Sequence, residues 1–183
     1  MLAKILQSTY INEHRYFTAR KDAYELESGK VVDPYFLVEM PPSATAMAIT
    51  DQHEVILIQQ YRHPIGKVCL ELPGGFIEPN EDPALAIRRE LLEETGYVFK
   101  EVLPLQITAA NPGVLNNYTQ LFLLTGGTKA AEQQLDDNEE ISLLLKPIKE
   151  MPALLQSGAL TQSMHALCVF YGLLHLQQLR FIS

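Results

Sequence analysis

Short apolar runs separated by turn residues dominate this chain, and helical spacing of apolar positions surfaces in three segments. Tyr10 to Arg20 and Ala23 to Leu26 read as strands, followed by the turn Glu27-Ser28-Gly29-Lys30. Val31 to Met40 continues as a strand interrupted at Pro34, and Pro41-Pro42 closes this part of the chain. Residues 1–42 thus form an N-terminal strand extension too small to fold alone, and residues 43–183 form the main domain. Ala44 to Thr50 and Glu54 to Tyr61 flank a hairpin turn at Asp51-Gln52-His53, and Val68 to Leu72 leads into Gly74-Gly75. Val98 to Thr108 and Thr119 to Thr125 are further strands, the second ended by Gly126-Gly127. Residues 128–140 are a polar, acidic loop, and Ile141 to Leu145 is a short buried strand. Met151 to Gln156 is a short helix stopped by Gly158. Gln162 to Gln178 is the longest helix, with Thr161 as N-cap and an apolar stripe at Met164, Leu167, Cys168, Tyr171 and Leu174. Strands, helix, strands and helices in that order predict an α+β fold, a mixed sheet covered by helices on both sides.

The remaining helical segment carries the candidate chemistry. Asp82 followed by Pro83 is a helix start, and Gly96 is its C-terminal stop. Between them Glu90, Glu93 and Glu94 stand at i, i+3 and i+4, so their carboxylates crowd one face. Like charges at that spacing weaken an isolated helix by roughly 0.2–0.5 kcal/mol per pair. Ala84, Ile87 and Leu91 give one apolar side, and Leu85 and Leu92 a second, which predicts a partly buried helix with its acidic stripe on a cleft. Hard oxygen ligands at this density suit Mg²⁺ or Mn²⁺; a solvated acidic face is the plainer alternative. Arg89 can pair with Glu93 one turn on, and Gly74-Gly75 let backbone groups approach a ligand closely.

Charge and composition narrow the partners. The chain has 183 residues, 47% of them hydrophobic, enough for one well-formed core. Its net charge of −8 argues against sequence-independent nucleic-acid binding and against an anionic membrane surface. A phosphorylated small molecule remains open, provided metal ions invert the local field. Cys69 and Cys168 sit in apolar settings without disulfide or zinc spacing. With no targeting segment and no apolar run of membrane length, a cytoplasmic protein is expected.

The run from Gly75 to Tyr97 resembles the signature of the Nudix hydrolases, G-x5-E-x7-R-E-U-x-E-E-x-G-U, where U is a bulky apolar residue. Gly75, Glu81, Arg89, Glu90, Leu91, Glu93, Glu94 and Gly96 stand at its positions, and Tyr97 at the last U is the one departure. The resemblance implies a Nudix α/β/α sandwich with a mixed sheet. Position by position, it implies Glu90 and Glu94 as metal ligands, Glu93 as a third and the Gly74 carbonyl as a further one. Arg89 orients the glutamates, Glu81 supports the loop–helix geometry, and Gly75 and Gly96 shape the backbone.

Flanking segments resemble the ADP-ribose and nucleoside-diphosphate-sugar pyrophosphatases within that family. Gln59-Gln60-Tyr61-Arg62 and Leu70-Glu71-Leu72-Pro73-Gly74-Gly75 carry this likeness, with Arg62 and Glu71 as substrate-side residues. Arg62 suits a phosphate because its planar fork binds two oxygens; an ordinary ion pair is the competing reading. Ala110-Asn111-Pro112-Gly113 falls where that branch has a proline-containing substrate loop. The branch takes its general base from a downstream acidic loop, here Asp136-Asp137-Asn138-Glu139-Glu140. Glu139 is the first choice, with Asp137 and Glu140 as alternatives, and a merely solvated loop is also open. Such enzymes form homodimers through N-terminal strands, a role residues 1–42 could fill with Tyr10, Tyr16 and Phe17. The expected activity is Mg²⁺-dependent (or Mn²⁺-dependent) cleavage of ADP-ribose or a related sugar nucleotide into a nucleoside monophosphate and a sugar phosphate. A nucleoside triphosphate or dinucleoside polyphosphate hydrolase and a non-catalytic ligand sensor are the rivals.

Overall fold

A computed structural model of the protein describes residues 3–136 and 139–179. These fall into two units, Met1–Pro42 with Ala109–Tyr118, and Ser43–Thr108 with Thr119–Ser183. In the first, β1 (Lys4–Asn12), β2 (Thr18–Glu25) and β3 (Val31–Glu39) form an antiparallel meander. The strand expected from Tyr10 to Arg20 is broken in its middle. His14 turns the chain there, its carbonyl accepting from the Phe17 amide and the Thr18 hydroxyl. Arg20 ties Asp22 to Glu39 on the sheet. The segment Ala109–Tyr118 belongs to this unit because it bonds along β3. Val38 donates to Val114, Asn116 donates back to Val38, and the Tyr35 hydroxyl donates to Gly113 at 2.6 Å.

The second unit is built on an eight-stranded sheet. Its strands are β4 (Ser43–Thr50), β5 (Glu54–Arg62), β6 (Lys67–Glu71), β7 (Gly74–Phe76), β8 (Tyr97–Val98), β9 (Glu101–Thr108), β10 (Thr119–Lys129) and β11 (Ile141–Pro147). Strands β4 and β10 run parallel, whereas β5 pairs antiparallel with β6 and β11, and β9 with β10. The sheet is therefore mixed, as expected. Gly126-Gly127 does not end β10. The pair makes a bulge, after which Thr128 and Lys129 pair with β8.

Three helices cover the sheet: α1 (Pro83–Thr95), α2 (Met151–Ser157) and α3 (Ser163–His175). The period-2 alternation of the strands sorts the core into two layers. Ala44, Ala46, Ala48, Ile56, Phe122 and Leu124 pack with Ala86, Ile87 and Leu91 of α1. Met47, Ile49, Val55, Leu57, Leu121 and Leu123 pack with Met151 of α2 and with Cys168, Val169 and Leu173 of α3. Helices thus lie on both faces, the α/β/α sandwich. Alanines at alternate β4 positions leave room for α1 to come close.

Two details of the helices differ from the sequence expectation. Leu85 and Leu92 of α1 point to solvent, so that helix has one buried side rather than two. On α3 the buried face runs through His165, Cys168, Val169, Gly172 and Leu173, one position over from the expected stripe. The larger residues of that stripe fill its margins, and Gln162 rather than Thr161 stands at the N-cap without a side-chain bond.

Candidate active site

Helix α1 starts as its sequence dictates. Asp82 has extended backbone angles and its carboxylate accepts from the Ala84 amide at 2.8 Å, with Pro83 at the first helical position. It ends at Gly96, in the left-handed region (φ 73°), whose amide returns to the Leu92 carbonyl. The turn before the helix contains β7, which the sequence did not reveal. Three residues are too few for a periodic signal. Gly74 pairs there with Thr45 at φ 146°, and a Cβ on Gly74 would run into the Ala44 carbonyl. The turn is fastened at each residue: Pro73 accepts from the Thr45 hydroxyl and the Ala46 amide, and the Gly74 amide donates to Glu94 at 2.8 Å.

This fastening fixes Glu94, which lies within electrostatic reach of Glu90 on the same helix face. Glu94 is only 6% exposed. Burial pushes its carboxyl up to about 8, the Gly74 amide opposes that shift, and the charges of Glu90 and Glu139 add to it. Glu90 is also raised, by burial first, with Arg89 pulling it down and Glu93 and Glu139 pushing it up. Arg89 binds Glu81 through Nε and Nη2 at 2.9 and 3.0 Å, Glu90 at 2.9 Å and Glu93 at 3.2 Å. It also reaches the Phe76 carbonyl. Its guanidinium is held charged mainly by the Glu81 hydrogen bond, and the same bond lowers the Glu81 carboxyl. A Cβ on Gly75 would lie 2.5–2.6 Å from the Glu90 carboxylate, so the absent side chain leaves space for that group.

These donors fit a hard divalent cation in chemistry. Glu90 and Glu94 are buried or half-buried carboxylates whose mutual repulsion a +2 ion would relieve. Among the described residues no three acidic, His or Cys side chains already converge as a cage. Arg89 holds Glu90 and Glu93 in the meantime.

The remaining predicted residues divide. Arg62, 43% exposed, grips Glu71 with two bonds, Nε to Oε1 at 2.9 Å and Nη2 to Oε2 at 2.5 Å, while Glu71 is 2% exposed. This bond keeps the guanidinium firmly protonated, and Arg62 also lies within electrostatic reach of Glu94. Glu139 is exposed, yet its charge acts on both Glu90 and Glu94. Glu140 is exposed, and Asp137 lies outside the described residues. Pro112 is exposed in the first unit. Two residues escaped sequence reasoning. His165 on α3 is buried, and its Nδ1 accepts from the Leu72 amide at 3.2 Å, next to Glu71; burial lowers it to about 4. Its signal was a lone polar residue on the buried helix face. Gln133 donates from Nε2 to the Glu94 carbonyl at 2.6 Å, and nothing in its polar surroundings marked it.

Known proteins bear on this arrangement. A model of the NUDIX domain matches residues 40–162, about two-thirds of the chain. The methanol dehydrogenase activator of Bacillus methanolicus is 28% identical over 176 residues, covering 93% of this chain and 95% of its own. The ADP-ribose pyrophosphatase of Bacillus subtilis (strain 168) is 26% identical over 162 residues, 80% of this chain and 88% of its own. A crystal structure of an ADP compounds hydrolase matches with a TM-score of 0.81 at 20% identity, covering 97% of this chain and 96% of that one, a likeness of fold. With the domain matched across the acidic helix and its glycine turn, the chain belongs to the Nudix family, as a pyrophosphate-cleaving hydrolase.

Proposed function

We propose that this hydrolase cleaves the pyrophosphate of a nucleoside diphosphate sugar, with ADP-ribose as the leading substrate, in a Mg²⁺- or Mn²⁺-dependent reaction. The observation that carries the reading is the buried Glu94, bonded to the Gly74 amide and crowded by the charges of Glu90 and Glu139. The relative from Bacillus subtilis supports the substrate class. Glu90 and Glu94 would hold the cation, with Glu93 and the Gly74 carbonyl as further donors. Bound there, it would neutralise the pyrophosphate and stabilise charge on the leaving oxygen. Arg89 keeps Glu90 and Glu93 in register from its anchor on Glu81, and Gly75 and Gly96 give the helix its entry and exit.

Glu139 is assigned as general base. It accepts a proton from water as the oxygen attacks phosphorus and the bridging P–O bond breaks, giving a nucleoside monophosphate and a sugar phosphate. Arg62 offers its remaining N–H groups to a phosphate. Glu71, expected to touch substrate, has both oxygens on Arg62, so its part is to orient that arginine. Pro112 is proposed to touch substrate from its loop. The chain is proposed to act in the cytoplasm as a homodimer through residues 1–42. Edge strand β1, exposed along its length with Ile5, Leu6, Tyr10 and Ile11 uncovered, supports that assembly. Among the described residues no helix is long and apolar enough to cross a membrane.

The test is a screen of ADP-ribose, several nucleotide sugars, dinucleoside polyphosphates and nucleoside triphosphates with Mg²⁺ and then with chelator, products identified. Release of AMP and ribose 5-phosphate from ADP-ribose, abolished by chelation, is the expected result. Turnover of triphosphates alone would refute the substrate class. A second reading, activation of another enzyme, is favoured by the near full-length match to the Bacillus methanolicus protein. Stimulation of a methanol dehydrogenase by this chain, absent with a heat-denatured control, would support it.

A further inference from the structure

The residues that follow β10, Ala130 to Gln134, are docked on the C-terminal end of α1. An α-helix leaves its last carbonyls without intrahelical partners, and here these residues supply them. The amides of Ala130 and Ala131 both donate to the Gly96 carbonyl, at 2.8 and 3.0 Å, and the Gln134 amide donates to the Glu93 carbonyl at 2.8 Å. The Gln133 side chain fills the place between. Its Nε2 donates to the Glu94 carbonyl at 2.6 Å and to the Ile141 carbonyl at 3.4 Å. Both partners are acceptors, so the side-chain amide can serve them only with its NH₂ group.

The consequence lies at the far end of that bridge. Ile141 opens β11, two residues after Glu139. Glu139 is fixed locally on the Asp136 backbone, its amide donating to the Asp136 carbonyl at 2.9 Å and its carboxylate accepting from the Asp136 amide at 3.3 Å. Gln133 thus ties the residue that carries the cation-side carboxylate, Glu94, to the first residue of β11, two positions past Glu139. We infer that Gln133 is a positioning residue for hydrolysis: its amide sets the distance between α1 and the Glu139 segment, and so holds Glu139 opposite Glu94. This inference rests on the reading of Glu139 as general base.

The experiment is a double-mutant cycle on the full chain with ADP-ribose and Mg²⁺, using wild type, Gln133→Met, Glu139→Gln and the double variant. Methionine keeps the length and removes both donors. Because a misplacement of about 1 Å can cost up to ~10²-fold in rate, Gln133→Met is expected to lower kcat about tenfold, with KM within about twofold. Glu139→Gln is expected to lower kcat by about 10²-fold or more. In the Glu139→Gln background the Gln133 change should then cost less than about twofold, since the group it positions is gone. Equal loss in both backgrounds, or wild-type kcat for Gln133→Met, overturns the inference.

Mn²⁺ affinity, read by electron paramagnetic resonance, separates this role from one at the cation site. It should stay within about twofold of wild type in Gln133→Met, and a tenfold fall overturns the inference. If Glu139→Gln alone retains full turnover, the base assignment itself has failed, an outcome distinct from the other two. Should Gln133→Met not fold, Gln133→Lys replaces it, because an ammonium group can donate to both carbonyls. That variant is expected to keep kcat within about threefold of wild type, and a loss as large as that of Glu139→Gln overturns the inference.

Discussion

Glu94→Gln should make the metal-free protein more stable at alkaline pH while abolishing its activity. The Glu94 carboxyl has an ordinary value of 4.5 and is pushed up to about 8 in the fold, chiefly by burial. A carboxyl raised in this way holds its proton more tightly folded than unfolded. Stability is therefore highest below about 4.5 and falls as pH rises through the window that closes near 8. Each unit of that window is worth about 1.4 kcal/mol. Integrated, it reaches up to about 5 kcal/mol, and relaxation and water entry bring the expectation to about 2–5 kcal/mol. Glutamine keeps an acceptor for the Gly74 amide and carries no charge. Urea unfolding of chelated wild type and Glu94→Gln at pH 5, 7 and 8.5 reads the difference directly. Near pH 5 the two should almost coincide, and by pH 8.5 the variant should lead. Glu90 titrates in both proteins, so its share largely cancels. Mg²⁺ should recover the wild type at pH 8.5 and leave the variant unmoved. Parallel pH profiles for the two chains would refute the claim that Glu94 is destabilised by its own charge.

Three other outcomes follow from the same geometry. Arg89→Met frees Glu81, Glu90 and Glu93 from their common partner. Urea unfolding at pH 7 should show a loss of about 1–3 kcal/mol, smaller at acid pH where the carboxylates neutralise. Gly75→Ala puts a methyl against the Glu90 carboxylate, which can rotate away, so the chain should fold but bind Mn²⁺ at least about tenfold more weakly by paramagnetic resonance. His165→Leu strands the Leu72 amide, at a cost of about 1–3 kcal/mol near neutral pH. Because burial holds His165 down at about 4, wild-type stability falls as pH drops from 6.5 towards 4 as the unfolded imidazole takes its proton first. That decline should flatten in the variant, measured by thermal melts across the range.

Much of this was legible in the residues because the signals are local. Asp82-Pro83 and Gly96 fix the ends of α1 by backbone chemistry that depends on no distant contact. The spacing of Glu90, Glu93 and Glu94 puts three carboxylates on one side of any helix they form. The alternation along Ala44 to Thr50 sets which side chains share a layer, whatever packs on them. Where the pattern misled, a distant contact decided. Gly126-Gly127 reads as a strand end, yet β8 receives the strand beyond the bulge. Leu85 and Leu92 read as an apolar side, but α1 meets only one sheet face and leaves them in water.

By itself the sequence determined the acidic helix, its caps and the shared face of its carboxylates, all properties of neighbours within one or two turns. Tertiary structure decided the state of those groups. Pairing of Gly74 with Thr45 carries the Gly74 amide to Glu94, and burial under the sheet makes that carboxyl resist its charge. Arg62 is turned onto Glu71, and Gln133 joins the end of α1 to the start of β11. Each of these pairs lies between 8 and 39 residues apart in the chain, Arg62 and Glu71 at 9, Gly74 and Glu94 at 20, Gln133 at 39 from Glu94 and 8 from Ile141. Helical and strand periods fix neighbours over a few residues, so only the folded chain could set such partners together.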